Sequence, residues 1–460
     1  MTDVTADTSV VKALKRIRMP QKQRNREFWL LLFAIVLSAG ALTLVQLGAL
    51  KTIDPMILLI GGGPAVLALA VHIVLRVVAS DADPFVLPIG TALTGLGIAM
   101  IYRIDLAAEN SGWSALSIKQ LAWMAISLAG VIALIIALRN YRVLYRFTYL
   151  SGLAGIVLLV LPSIPFLKAR GATADVWVSI AGVFSFQPGE LAKICLAIFF
   201  AGYLVRTRES LSSVGTRFLG MTWPRMRELG PVLVVWVVSL LIIVSQHDLG
   251  TGVLIFGMFI AMLYVATGKT SWVLIGLAGV AAGAFLATRV LAYVERRFTN
   301  WLDAFNPDII DARGGSYQLV EGIFGLAHGG LIGTGWGQGR PQITPLAASD
   351  YIIPSLGEEL GIVGLFAILC LYMVFVSRGL RIGLAGQDDF GRLLATGLSF
   401  TIALQVFIMV GGVTRVIPLT GLTTPFLAAG GSSLVANWLI VALLLRISDG
   451  VRRQPRVVIG

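Results

Sequence analysis

Charge is scarce in this chain. Of its 460 residues only 13% are Asp, Glu, Lys or Arg, against roughly 25% in an ordinary globular protein. That is too little to cover a soluble body of this size. With 57% hydrophobic residues and a mean hydropathy of +0.86, the solvent has to be lipid. Cysteine is nearly missing too. Cys195 and Cys370 lie far apart in apolar runs with no CxxC neighbour, which leaves no disulfide framework or thiolate zinc site and reads as two inert buried thiols. Histidine is limited to His72, His247 and His328, unclustered along the chain, so a His-built metal site or a catalytic triad has no material. Acids are outnumbered, 24 against 36 Lys and Arg, for a net charge of +12. That excess sorts by side of a membrane, so it reads as topology and not as a nucleic-acid surface.

Apolar runs near 20 residues are long enough to cross a ~30 Å hydrocarbon core as helices. They fall at 28–50, 56–75, 84–102, 120–138, 147–167, 188–205, 229–247, 249–268, 271–293, 359–377, 393–413 and 427–445, twelve spans in all. The expected fold is an all-α polytopic membrane protein. An even count puts both ends on one side, and 24 of the 36 Lys and Arg fall on that side, which the positive-inside rule makes cytoplasmic. Residues 1–27 form a basic tail before a full-length span without a small-x-small cleavage site, the pattern of a retained anchor. Residues 447–460 form the second tail. The connection 294–358, about 65 residues long and rich in glycine, is too long for a plain linker. Its Trp301, Phe305, Tyr317, Phe324 and Trp336 predict a folded outer cap of short helices.

Ionisable groups at membrane depth need a reason. Glu190 and Lys193, at the outer mouth of the sixth span in Gln187-Pro188-Gly189-Glu190-Leu191-Ala192-Lys193, are three apart and share a helix face. Glu190 suits the first turn, whereas Lys193 opposes the helix dipole. Two readings stay open: a structural ion pair, or a polar pocket meeting an anionic substrate. Asp248, in Gln246-His247-Asp248-Leu249-Gly250, reads as the N-cap of the eighth span. Glu358 and Glu359 begin the tenth span, where acids complement a helix N-terminus. Asp350 lies too early to cap that helix. It is an acid at the outer interface, beside Gly-rich backbone and Arg340. Arg415 is a second outward cation, followed by Pro418, and Gly430-Gly431-Ser432-Ser433 opens the last span with residues suited to close packing.

Read together, these strings resemble the SEDS family, the membrane proteins of shape, elongation, division and sporulation typified by RodA and FtsW. The match runs through Phe186–Lys193, Gln246–Gly250, Gly315-Ser316-Tyr317-Gln318-Leu319, Gly333-Thr334-Gly335-Trp336-Gly337-Gln338-Gly339, Asp350 with Gly357-Glu358-Glu359-Leu360-Gly361, Ile417–Gly421, Pro425-Phe426 and Gly430–Ser433. Departures are His247 for Pro, Asp175-Val176 ahead of Trp177 where a basic residue is usual, and Ala429 for Tyr. The N-terminal helices occupy 28–102 ahead of a core at 103–446, and the two extra spans at the N-terminus resemble those of the RodA branch found in actinobacteria.

The resemblance implies a peptidoglycan glycosyltransferase that polymerises lipid II onto an undecaprenyl-pyrophosphate-linked glycan during cell elongation. It also implies a class B penicillin-binding transpeptidase as partner, in the plasma membrane among its lipids, without nucleic acid. The family's essential loop aspartate falls on Asp350, and its span Glu and Lys on Glu190 and Lys193. Glycan extension needs a base for the acceptor hydroxyl and cations for the departing pyrophosphate. Asp350 is the candidate base, and a lone base fits inversion. Lys193, Arg340 and Arg415 are candidate pyrophosphate contacts, with Glu190 orienting Lys193 and Gln338 on the substrate side. Asp248, Glu358, Glu359, Pro418, Gly430, Gly431 and Ser432 form the expected supporting set. A divalent cation, Mg²⁺ or Mn²⁺, is the other role open to Asp350. Two rival classes are a lipid II flippase or other transporter and a non-catalytic scaffold. Transporters commonly show two corresponding halves with polar groups at the midplane, and neither is found here.

Overall fold

Backbone buried in lipid must satisfy its own hydrogen bonds, so long apolar runs have to become helices. The computed structural model describes residues 4–164, 176–180, 184–212, 217–218, 221–222, 234, 237–239, 241–242, 244 and 246–453. Its helices are α1 Val4–Leu50, α2 Met56–Val78, α3 Val86–Ala107, α4 Leu116–Ala137, α5 Thr148–Val160, α6 Pro188–Ser212, α7 Leu249–Thr267, α8 Ser271–Val290, α9 Ala292–Leu302, α10 Tyr317–Gly329, α11 Ile352–Ala385, α12 Asp389–Val413 and α13 Gly431–Arg453. A single turn, Pro307–Ile310, lies between α9 and α10. Among the described residues 11 helices are long and apolar enough to cross a membrane. The span expected over 229–247 lies mostly outside the described residues, as does Asp175. Helices α6 and α7 are neighbours, with Gly189 near Thr251 and Phe200 near Phe259, and therefore run parallel.

Helix α3 sits at the centre, with 94% of its apolar window buried, whereas α8 has only 6% and faces outward. Around α3 the packing is aromatic and close. Trp438 of α13 is fully buried beside Gly90 and meets Phe426 edge-on at 6.0 Å. Small residues let helices approach: Gly97 lies against the Leu427 backbone, and Gly152 and Gly155 receive Phe199 and Leu196. Cys195 and Cys370 are free thiols. A short hairpin, β1 Val178–Ile180 and β2 Phe184–Phe186, pairs Ser179 with Ser185 just ahead of α6.

The first residues of the α1 span and the last of α13 lie together, since Arg452 Nη1 donates to Gln23 Oε1 at 3.0 Å. Buried charge at this end is paired. Arg24 and His72 both contact Glu27, at 2.6 and 2.7 Å, so His72 has the partner that sequence spacing did not reveal. Asp83, fully buried, holds Arg378 and Arg452, the latter at 2.7 Å. Helix α13 runs on to Arg453, so residues 447–453 of the expected tail are helical. At the opposite end α9, Pro307–Ile310, α10 and a turn at Pro341–Ile343 form the cap, the short helices expected for 294–358.

One helix boundary differs from the expectation. The tenth span begins at Ile352, with Pro354 in its first turn where no N–H is missed, and not at Glu359. Gly361, at φ 68° and ψ −177°, then breaks the helix. Glu358 and Glu359 therefore end a short first segment instead of opening the span. Hydropathy stops at these two acids because it cannot see that Arg103 and loop N–H groups receive them.

Asp83→Ala leaves two arginines without their shared carboxylate. We expect a loss of about 2–3 kcal/mol, below the 3–5 of a fully buried pair because both guanidinium groups can reach solvent. A lowered unfolding temperature in detergent measures it, and an unchanged one contradicts the role.

Candidate active site

Helix α9 is the wall on which the site is built. Its last carbonyls, Trp301 O and Leu302 O, accept from Arg415 Nε and Nη2 at 2.7 and 2.6 Å, while Trp301 Nε1 donates to Arg415 O at 3.0 Å. A cation at a helix C-terminus satisfies orphan carbonyls and the dipole together. This fixes the cap to the turn after α12. Asn300 and Ser316 then bond Gly314 O and Ala304 O, at 3.0 and 2.6 Å, folding the glycine segment 314–316 back onto α9.

Between these pieces lies a cavity of about 630 Å³, lined by Arg297, Asn300 and Trp301 of α9, by residues from Ile310 to Leu319, and by Pro345, Asp350, Tyr351, Leu419 and Gly421. Asp350 is half-buried two residues ahead of α11. Burial pushes its carboxyl up from 3.8 to about 6, against the pull of the Ser349 hydroxyl and the Arg297 guanidinium. Among the described residues Asp350 has no ion pair at contact distance; Arg297 acts on it through space. Arg297 also faces Asp248, whose carboxyl burial pushes up while the Thr251 bonds and Arg297 oppose the rise. One arginine thus serves two acids; among the described residues its hydrogen bond runs from Nη1 to Thr420 O at 3.0 Å.

A second polar centre lies in the helices. Lys193 and Glu190 are fully buried and 2.6 Å apart, and Lys193 Nζ donates to Gln405 Oε1 of α12 at 3.0 Å. Gln405 Nε2 in turn donates to Thr423 O at 2.8 Å, and Thr423 Oγ1 meets Ser433 Oγ of α13 at 2.8 Å. Thr420, which accepts from Arg297, and Thr423 belong to one irregular segment that Pro418 heads, so this backbone joins the two centres. Asp248 caps α7, accepting from Thr251 N at 3.1 Å, in the electrostatic field of Glu190.

The other candidates are placed elsewhere. Arg340 is exposed and does not line the cavity; its backbone N–H donates to Glu358 Oε1 at 2.8 Å. Arg415 is committed to α9 and to the face of Phe305, 5.4 Å from the ring centre, and does not line the Asp350 cavity. Gln338 Nε2 donates to Gly48 O of α1 at 3.2 Å. Glu358 also contacts His328 at 3.1 Å, and Glu359 receives Arg103 Nε and the Gly337 N–H, both at 2.9 Å. Gly430 N donates to Gln120 at 3.2 Å, Gly431 presses on Trp123, and Ser432 Oγ accepts from Gln187 N at 2.8 Å. His247, at φ 61°, packs its ring on Tyr293. The residue that sequence reasoning missed is Arg297. Its signal was an Arg296-Arg297 pair on the side where the charge tally expects few.

The family model described as "Cell cycle protein", of FtsW, RodA and SpoVE, matches residues 85–453. Peptidoglycan glycosyltransferase RodA of Mycobacterium tuberculosis is 43% identical over 437 residues, 94% of this chain and 92% of that protein. The probable peptidoglycan glycosyltransferase FtsW of Geobacter metallireducens is 30% identical over 378 residues, 81% of this chain and 96% of that one. Among solved structures, a chain of a peptidoglycan synthase complex, described as coordinating polymerization and crosslinking, superposes with TM-score 0.63 at 22% identity, over 81% of this chain and 99% of its own. The rod shape determining protein RodA of Thermus thermophilus superposes with TM-score 0.58 at 22% identity, over 81% and 98%. These two structural likenesses carry the fold.

An acid raised by burial destabilises the folded state once it ionises. Relative to wild type, Asp350→Asn gains nothing below the unfolded value of 3.8, gains progressively as pH climbs toward about 6, and holds its advantage above that. Thermal unfolding at about pH 4 and about pH 7.5 measures the difference, and a pH-independent difference contradicts the burial effect.

Proposed function

This chain belongs to the FtsW, RodA and SpoVE family of cell cycle proteins, and we propose that it polymerises lipid II with Asp350 as general base and Arg297 as the cation facing the leaving group. At the coarser level it is a multi-pass membrane protein and a peptidoglycan glycosyltransferase of cell-wall synthesis. The finer reading rests on one observation: Asp350 and Arg297 line the same cavity, with the carboxyl poised at about 6.

The acceptor sugar's 4-hydroxyl attacks the anomeric carbon of the donor. Its proton passes to the Asp350 carboxylate as the new C–O bond forms, and the bond from that carbon to the lipid pyrophosphate breaks. One displacement at one carbon inverts its configuration. A carboxylate with its affinity for protons raised toward 6 is a stronger base than an ordinary one and is still ionised at neutral pH, the compromise that general-base catalysis favours. The negative charge growing on the pyrophosphate is met by Arg297, a rigid fork of donors suited to phosphate oxygens. Lys193, buried with Glu190 and Gln405, supports the wall through the segment 418–424 instead of meeting substrate. A resident Mg²⁺ or Mn²⁺ fits this site poorly. Among the described residues no three His, Cys, Asp or Glu converge, and the charge facing Asp350 is a guanidinium.

The Lys and Arg distribution supports cytoplasmic termini and a cavity on the outer face. There a lipid-linked sugar can present its head while its tail stays in the bilayer. The transpeptidase partner is a class B penicillin-binding protein, in keeping with the synthase complex whose fold this chain shares. A role in elongation is favoured by 43% identity to RodA across 94% of the chain, against 30% to FtsW across 81%.

The test is purified protein with its partner and lipid II in detergent. Wild type makes glycan polymer and Asp350→Asn at equal expression makes none; polymer from the mutant overturns the base assignment, and none from wild type favours transport or scaffolding. The wild-type rate rises about tenfold per pH unit up to about 6 and is flat above it, because only the ionised base works. Arg297→Gln raises the lipid II KM and lowers kcat, and unchanged kinetics would remove it from the site.

A further inference from the structure

The family match begins at residue 85, beyond α1 and α2, yet the outer end of α1 touches the loop system that carries Asp350. Gly48 lies directly against Trp336 and Gly337. A Cβ at Gly48 would sit 2.0 Å from Trp336 O, and one at Gly337 would sit 2.7 to 2.9 Å from backbone atoms of Val45, Gly48 and Ala49. Both neighbours are backbone, which cannot swing aside as a side chain does. Gln338 adds its bond to Gly48 O at 3.2 Å. The segment so pressed is laid on the break in α11. Gly337 N donates to Glu359 at 2.9 Å, Arg103 Nη2 to Gly339 O at 2.6 Å, and Arg340 N to Glu358 at 2.8 Å. From Arg340 the chain runs through Pro341, Ala347 and Ala348, all buried, to Asp350.

Helix α1 is anchored at several points between Gln23 and Gln46. Val45 and Gln46 are fully buried, and Gln46 Nε2 donates to Tyr102 of α3 at 2.9 Å. Ser38 fills the space beside Gly95. At the far end Arg24, Glu27 and His72 are locked together, and Gln23 is held by Arg452. From Gln23 to Gly48 is about 37 Å of helix, fixed at both ends.

We propose that α1 is a strut that holds the glycine segment 333–340, and through it the Asp350 loop, in working position, with Gly48 as the positioning residue. This rests on Asp350 being the reacting carboxylate.

The matched pair is Gly48→Ala and Gly40→Ala. Both add one methyl to the same helix, but Gly40 faces open space, with nothing within 4 Å of its Cβ position. In Gly48→Ala, amide hydrogen exchange over 333–340 quickens, and the polymerisation rate falls roughly ten- to a hundredfold, the penalty of an ångström-scale misplacement. The pH of half-maximal rate also drops from about 6 toward 3.8 as water reaches Asp350. Gly40→Ala behaves as wild type. Gln338→Ala, which adds no bulk, moves all three readouts the same way, with a rate loss of about fivefold. Equal exchange and equal rates in the two glycine variants overturn the strut and leave the polymerase reading standing. Faster exchange with an unchanged rate and pH profile overturns the positioning role. Wild type without polymer overturns the polymerase reading, and with it the positioning of a reacting group, while the exchange comparison still reports on the contact.

Discussion

Charge in a lipid-solvated body has to be answered by opposite charge or by hydrogen bonds, and that single requirement arranges this molecule. Lys193 with Glu190, Arg103 with Glu359, and Asp83 with Arg378 and Arg452 are contact pairs whose carboxylates are buried. Each joins elements far apart in sequence or secures a helix end. Against that background Asp350 and Arg297 stand out because they are not a contact pair. They share a cavity and feel each other across it. Two groups that share a cavity without closing on each other are candidates for another use.

The sequence was most legible where the signal is local. Glu190 and Lys193, three apart on one helix, declared their pairing by spacing, and Asp248 declared its cap by preceding an apolar run. The cap's short helices followed from aromatic residues that could not stay exposed. Long-range partners were beyond such reading. Nothing near Glu359 in sequence announces Arg103, 256 positions away, so the two glutamates looked like a helix start. Arg415 looked like a free outward cation because the carbonyls that absorb it come from α9, more than 100 positions earlier. Arg297 was hidden for the opposite reason: an arginine in an outer loop is unremarkable until the fold brings it to an acid.

The segment 418–424 explains how a buried ion pair and a surface cavity belong to one site. Its carbonyls accept from Arg297 at Thr420 and from Gln405 at Thr423, and Gln405 is tied to Lys193. Helix-packed charge thereby sets the position of a backbone strand, and the strand sets the guanidinium. On the proposed reading a substitution at Lys193 reaches the cavity by this route, and the identity of a family's important residues does not by itself separate those that meet substrate from those that hold the wall.

The distance between Asp350 and Arg297 matters as much as their presence. A guanidinium in bidentate contact would hold the carboxylate ionised but depress its affinity for protons, making a poor base. With no cation at all, burial alone would drive the carboxyl further up. Held at a remove, the arginine offsets part of the burial effect and leaves the group near 6, ionised and still basic. The cavity that both side chains line is where an anion would meet Arg297. Such an anion would neutralise Arg297 while bound, removing its pull on Asp350 and strengthening the base at the moment a hydroxyl proton has to be taken. On the proposed reading, arrival of an anion at Arg297 and a rise in the proton affinity of Asp350 are therefore coupled, provided both side chains stay where the loop and α9 hold them.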